Sequence, residues 1–200
     1  MRKRLKNKFI NGLFLFFCFI VLLIPMRAMT GGCKMISSNQ VMEIASTAIK
    51  NHQYHDKPGD IVVERKKEEY QVTFDFVIPN DGGNKWADYV IELLIDAKSG
   101  KVLKMEDKGI SAISKRIFPD ARWKSFISGK RAYEVSLNAI KGYENYDITG
   151  RLTIELKQDV YHVTFPLMKA GESGSRSADY AKQIWVDAQS GKVLKIRAAS

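Results

Sequence analysis

From residue 38 onward, apolar positions first return at helical spacing. Val41, Ile44, Ala45, Ala48 and Ile49 fall on one stripe, which predicts an amphipathic helix with Ser37 or Ser38 as its cap. The period then shortens. Ile61 to Arg65 is brief and β-branched, and Tyr70, Val72, Phe74, Phe76 and Ile78 alternate with Gln71, Thr73, Asp75 and Val77, as in a half-buried strand. A polar, Gly-rich connection from Pro79 to Lys85 leads into an expected hairpin, Tyr89 to Ile95 and Lys101 to Met105. Its turn, Asp96-Ala97-Lys98-Ser99-Gly100, has a physical logic. The Asp96 carboxylate accepts backbone N–H groups across the turn, and Gly100 supplies the positive φ that closes it.

The same pattern then recurs at a single offset of 91 residues. Ala48-Ile49-Lys50 returns as Ala139-Ile140-Lys141, Tyr70-Gln71-Val72-Thr73-Phe74 as Tyr161-His162-Val163-Thr164-Phe165, and Ala87-Asp88-Tyr89 as Ala178-Asp179-Tyr180. The turn returns around Asp187 and Gly191, and the helical stripe as Ala132, Val135, Ser136, Ala139 and Ile140. Four separated blocks at one spacing with no gap define an internal repeat. The expected fold class is α+β: two tandem repeats, each an N-terminal helix packed on a short antiparallel β-sheet meander. The expected bounds are 36–107 and 128–198, with 108–127 as linker and 1–33 as leader. Each unit is small, so the two are expected to dock through sheet edges or faces and bury more area.

Charge changes the picture less than its total implies. The chain of 200 residues has a formal net charge of +10, but Arg2, Lys3, Arg4, Lys6, Lys8 and Arg27 sit in the leader with no acidic residue beside them. The remainder is mixed-sign, which argues against a nucleic-acid partner. Behind the basic cluster, Phe9 to Met26 is an apolar run, the arrangement of an export signal with its positive flank held inside. Thr30-Gly31-Gly32-Cys33 resembles a bacterial lipobox, departing from it at Thr30. Cys18 lies inside the apolar run, so Cys33 is the candidate lipidation site. A lipid anchor at Cys33 ranks ahead of an uncleaved anchor, and a released product comes third. The first two tether the body to the membrane. Beyond Cys33 there is no cysteine, which excludes a disulfide scaffold or a thiolate metal site in the body.

The unit resembles the PepSY domain family. The resemblance is carried by the helix ending Ala48-Ile49-Lys50, by the Tyr-x-Val-x-Phe strand, and above all by Ile95 to Leu103, which is similar to the family's Val-Asp-Ala-x-Thr-Gly-x-Val end. Ser99 and Ser190 stand where the family usually has Thr, and the Gly-rich connections are longer than in minimal members. The resemblance implies an extracytoplasmic, non-catalytic module. It occurs in propeptides of thermolysin-type proteases and in envelope proteins, and implies a peptidase or another envelope protein as partner.

No site for chemistry competes strongly with that reading. The body has no HExxH, GxSxG or GxGxxG pattern. His52 and His55 stand three apart and, with Asp56, form a candidate metal or small-ligand sensor, but Tyr143 and Tyr146 replace both histidines in the second copy. His162 is expected on the outward face of its strand. The repeated carboxylates Asp88, Asp96, Asp179 and Asp187 read as caps and turn residues before they read as acid and base. No cofactor is expected. Trp185 reads as sheet-packing area, and Trp86 and Trp123, at places the copies do not share, read as exposed contact residues. The basic positions Lys115, Arg116, Arg122, Lys124, Lys130 and Arg131 read as solvated surface ahead of a lipid-headgroup contact.

Overall fold

The computed structural model describes residues 35–80, 85–113, 125–140, 146–148, 151–169 and 180–199. The leader, Cys33, Trp123 and Asp179 lie outside them. Helix α1 (Ser38–Ala48) begins at Ser37, whose hydroxyl accepts from the Gln40 N–H while the Gln40 side chain accepts from the Ser37 N–H. Strands β1 (Gly59–Lys66), β2 (Glu69–Asn80), β3 (Lys85–Asp96) and β4 (Val102–Ile113) follow. Helix α2 (Gly129–Ala139) is capped by Ser128 through the Arg131 N–H. After it come β5 (Tyr146–Ile148), β6 (Leu152–Lys157), β7 (Val160–Lys169), β8 (Tyr180–Asp187) and β9 (Val193–Ala199).

Among the described residues these strands form one antiparallel sheet in the order β4-β3-β2-β1-β6-β7-β8-β9, with β5 against β7. The runs β1–β4 and β6–β9 are meanders, because each strand in them pairs with the next in sequence. The turns of β1–β2 and β6–β7 both place a non-glycine residue at positive φ, Lys67 and Gln158, again 91 residues apart. The two runs join edge to edge. β1 pairs with β6 at Ile61↔Ile154, Val62↔Thr153 and Val63↔Leu152.

Period two decides the faces. Tyr70, Val72, Phe74 and Phe76 of β2, Ile91, Leu93 and Ile95 of β3, and Tyr161, Val163 and Phe165 of β7 are buried beneath the helices. Their burial is the main stabilising term, at roughly 1.5–3 kcal/mol per large apolar side chain. One apolar core runs across both halves. Besides the β1–β6 ladder, side-chain hydrogen bonds cross between the halves: the Tyr133 hydroxyl donates to Asn39 Oδ1 at 2.6 Å, the Leu156 N–H donates to Asp60 Oδ1 at 2.6 Å, and the Gly59 N–H donates to the Tyr161 hydroxyl at 3.3 Å.

The helical stripe differs from expectation in one place. Ala48 is exposed and Met42 is buried at 1 %, because the buried face runs through Ser38, Val41, Met42, Ala45, Ser46 and Ile49 and leaves Ala48 beyond its margin. The hairpin strands are longer than the alternation implied. β4 continues to Ile113, so residues 108–113, expected in the linker, are strand paired with β3. Register shifts along that pair hide the continuation, since they break period two.

At the junction, glycine is required for close approach. A Cβ on Gly59 would lie 2.2 Å from the Asp75 carbonyl oxygen, and one on Gly129 would lie 2.9 Å from the Gly59 carbonyl oxygen. Gly59→Ala is therefore expected to destabilise the protein by about 1–3 kcal/mol or more, read from the urea midpoint. An unchanged midpoint would show that the approach relaxes freely.

Candidate functional site

The repeated Asp-Ala-x-Ser-Gly turn is where the most hydrogen bonds converge. Asp96 Oδ1 accepts from the Ser99 N–H and the Ser99 hydroxyl, each at 2.6 Å, and from the Lys98 N–H at 3.2 Å. Asp187 Oδ1 accepts from the Ser190 N–H and hydroxyl at the same 2.6 Å. Gly100 and Gly191 close the two turns with φ of 72° and 70°. The serine hydroxyls, and after them the serine N–H groups, hold both carboxyls below the usual carboxylate range. A carboxylate so engaged is an ionised structural acceptor and a poor general acid.

Between Asp96 and the glycine lies a residue whose part the sequence did not show. Ala97 is fully buried; its N–H donates to the Glu68 carbonyl at 2.8 Å, and its carbonyl accepts from the Ile36 N–H at 2.8 Å. Ala188 makes the same pair of bonds, to Asp159 at 2.8 Å and from Ile127 at 2.7 Å. The residue before each helix cap is held a second time. The Tyr70 hydroxyl donates to the Ile36 carbonyl at 3.0 Å, and the Tyr161 hydroxyl to the Ile127 carbonyl at 2.8 Å. Burial raises the Tyr70 pKa, so the hydroxyl stays protonated and able to donate. Strand alternation marks both tyrosines as core, but nothing in the sequence shows where their hydroxyls reach.

The histidines separate. His52 Nε2 lies 3.4 Å from Asp107 Oδ2, whereas His55 Nε2 lies 2.8 Å from Asp56 Oδ2. The Tyr89 hydroxyl donates to the same Asp107 carboxylate at 2.8 Å, and that bond is the chief reason its pKa is pushed up to about 12. Tyr54 packs edge-on against Tyr89 at 4.6 Å. The expected trio of His52, His55 and Asp56 is thus divided between two acids. Among the described residues no three His, Cys, Asp or Glu side chains gather as a metal group.

Trp86, expected as an exposed contact residue, is only partly exposed and packs against the core. It pairs with Pro79 near the end of the β2–β3 ladder, where its ring covers the core margin. Trp185 lies on the sheet face away from the helices, edge-on to His162 at 5.6 Å and beneath the Lys195 ammonium at 5.3 Å. Burial, chiefly, lowers the His162 pKa. Asp88 sits within β3, opposite Val77 and Ala112. The large apolar side chains left exposed on strands cluster on the two outer strands. Leu103, Met105 and Ile110 lie on β4, and Leu194 and Ile196 on β9. Leu103 and Leu194 correspond at the repeat offset, as do Met105 and Ile196. Among the described residues no helix is long and apolar enough to cross a membrane.

Acid tests the turns. Because the folded-state pKa of Asp187 is depressed, its contribution is present above the unfolded value near 3.8 and is lost as pH falls through the folded value. Asp187→Asn is expected to melt below wild type at pH 7, with the gap closing as pH is lowered through that window. A gap independent of pH would contradict the carboxylate's role. Ala97→Leu is expected to cost about 1–3 kcal/mol or more by urea denaturation, because the site is closed on every side.

Residues 35–106 match the family profile described as peptidase propeptide and YPEB domain, PepSY. No curated protein matches the chain. Among solved structures, a candidate lipoprotein from Clostridium difficile 630 is similar over 82 % of this chain and 93 % of its own, at 16 % identity and a TM-score of 0.35. The C-terminal domain of Bacillus megaterium YpeB is similar over 82 % of this chain and 66 % of its own, at 17 % identity and a TM-score of 0.30. The buried tyrosine of β2, the turn from Asp96 to Gly100 and the helix entry they fasten all lie within the matched span, and residues 35–106 of this chain are a PepSY domain.

Proposed function

We propose that the chain is a non-catalytic binding module held outside the cytoplasmic membrane by its leader, and that it binds or modulates a peptidase or another envelope protein. The observation that carries this reading is the PepSY match over residues 35–106, a family described by its occurrence in peptidase propeptides. We take residues 128–198 as a second copy of the same domain. The cap, the Ala188 bonds, the Tyr161 hydroxyl bond and the Asp187 turn all support this, each at the offset of the repeat. The engaged state of Asp96 and Asp187 argues against their use as acid and base.

Partner contact is assigned to the outer strands. An unpaired strand edge offers N–H and C=O groups in register, and exposed apolar side chains beside it add area for an incoming strand. Leu103 and Met105 on one edge and Leu194 and Ile196 on the other supply such pairs. Tethering is assigned to a lipid at Cys33, with the basic cluster from Arg2 to Lys8 kept on the cytoplasmic side.

Two measurements test these assignments. A photo-crosslinking residue placed at Leu103 or Leu194 in intact cells is expected to capture one envelope protein, identified by mass spectrometry, while the same probe at Val62 on the seam strand captures none. Equal capture from all three positions, or none, would remove the edge as the contact surface. Palmitate labelling of the full chain is expected to vanish in Cys33→Ala; persistent labelling would exclude that anchor.

A further inference from the structure

A cleft of about 110 Å³ opens where the end of α1, strands β1 and β2, and the first turn of α2 meet. Its floor is apolar, made by Ile49, Ile61, Phe74 and Phe76. Its rim carries three ammonium groups from three separate segments: Lys50 after α1, Lys57 before β1 and Lys130 in the first turn of α2. None of the three has an ion-pair partner among the described residues. The acidic residues at the same rim already have partners, Asp56 in His55, which also lines the cleft, at 2.8 Å and Asp60 in the Leu156 N–H at 2.6 Å. The first turn of α2 adds positive potential beside Lys130, and the end of α1 carries the opposite sign, which Lys50 offsets.

Ser46 supplies an independent observation. Ser46 lines the cleft and is only 8 % exposed, yet its hydroxyl has no hydrogen-bond partner among the described residues. A buried hydroxyl without a partner is costly, and native structures seldom keep one without use. The repeat offset gives a comparison. Lys50 corresponds to Lys141, but Lys57 corresponds to Ile148, Lys130 to Asn39 and Ser46 to Leu137. Most of the basic rim is thus particular to this cleft, where a purely architectural role would be expected to recur; α2 also holds a buried hydroxyl without a partner among the described residues, at Ser136, one position before the counterpart of Ser46.

We propose that this cleft binds the C-terminal residue of a peptide, with an aliphatic side chain on the apolar floor and the terminal carboxylate among Lys50, Lys57, Lys130 and the Ser46 hydroxyl. The volume decides the ligand class. It is somewhat below the roughly 150 Å³ of a cavity that accepts benzene, which suits one branched aliphatic side chain and is too small for an acyl chain. A bare inorganic anion would leave the aromatic floor unused. The proposal rests on reading the chain as a peptide- or protein-binding module.

The test is calorimetric titration of the full-length chain in detergent with a short peptide ending in leucine, alongside the same peptide amidated at its C-terminus. Amidation is expected to weaken binding at least about tenfold, as loss of charge-assisted hydrogen bonds does. Lys50→Glu, Lys57→Glu and Lys130→Glu combined are expected to abolish binding with melting unchanged. Lys101→Glu, Lys192→Glu and Arg197→Glu combined, an equal charge change elsewhere, are expected to leave it intact. Ser46→Ala separates function from packing: it should melt at or above the wild-type temperature while binding about three- to tenfold more weakly. Equal affinity for free and amidated peptides, full binding by the rim variant, or no binding at millimolar peptide would each overturn the proposal. If those failures appear while the crosslinked envelope partner is still captured at Leu103 and Leu194, the cleft falls and the binding module stands.

Discussion

The helix of each unit is fastened to its sheet by backbone hydrogen bonds that meet at one small residue. Ala97 joins three separate pieces of chain: the reversal between β1 and β2 through Glu68, the hairpin it belongs to, and the residue before the helix cap through Ile36. Ala97 itself is fully buried, so its N–H and carbonyl must both be paired, and the pairing fixes all three pieces relative to one another. The side chain at the node has no room to grow, which accounts for alanine in both turns. The Tyr70 and Tyr161 hydroxyls then secure the neighbouring carbonyls from beneath.

That node also gives physical meaning to the Asp-Ala-x-Ser-Gly signature. The carboxylate, the serine hydroxyl and the positive-φ glycine hold the turn in the one shape that presents the alanine carbonyl to the incoming helix entry. At Gly100 a Cβ would also come within 2.9 Å of Ile44 Cδ1, so the helix packs directly on the turn glycine. The motif that carries the family resemblance is therefore a fastening, which is consistent with a domain whose binding surface lies elsewhere.

Features set by local periodicity were legible in the sequence: both helices and the cap of the first, the alternation of β2 and β7, and the hairpin turns. Features set by distant parts of the chain were not. The length of β4 was hidden by its register shifts, and Ala48 lost its place on the buried stripe because the sheet meets the face centred on Met42, Ala45 and Ile49. Spacing drew His52, His55 and Asp56 together, but Asp107, which takes His52, arrives from a strand half a domain away. Trp86 looked exposed beside its Gly-rich stretch, whereas the β2–β3 ladder extends far enough to lay it on the core. The edge-to-edge joining of β1 and β6 left no trace in either strand, because a backbone ladder demands little of side-chain identity.

That seam has an architectural consequence under the two-copy reading. Val62 and Thr153 are equivalent positions and face each other, while Ile61 meets the counterpart of Val63, and Val63 the counterpart of Ile61. The contact is isologous, with a local dyad passing between Val62 and Thr153. An isologous contact consumes the same surface on both partners and closes, whereas head-to-tail stacking leaves a free surface for the next unit. Under that reading a further unit would find no inner strand to receive it, and the two units together make a fused pseudo-dimer whose only open edges are the outer strands among the described residues.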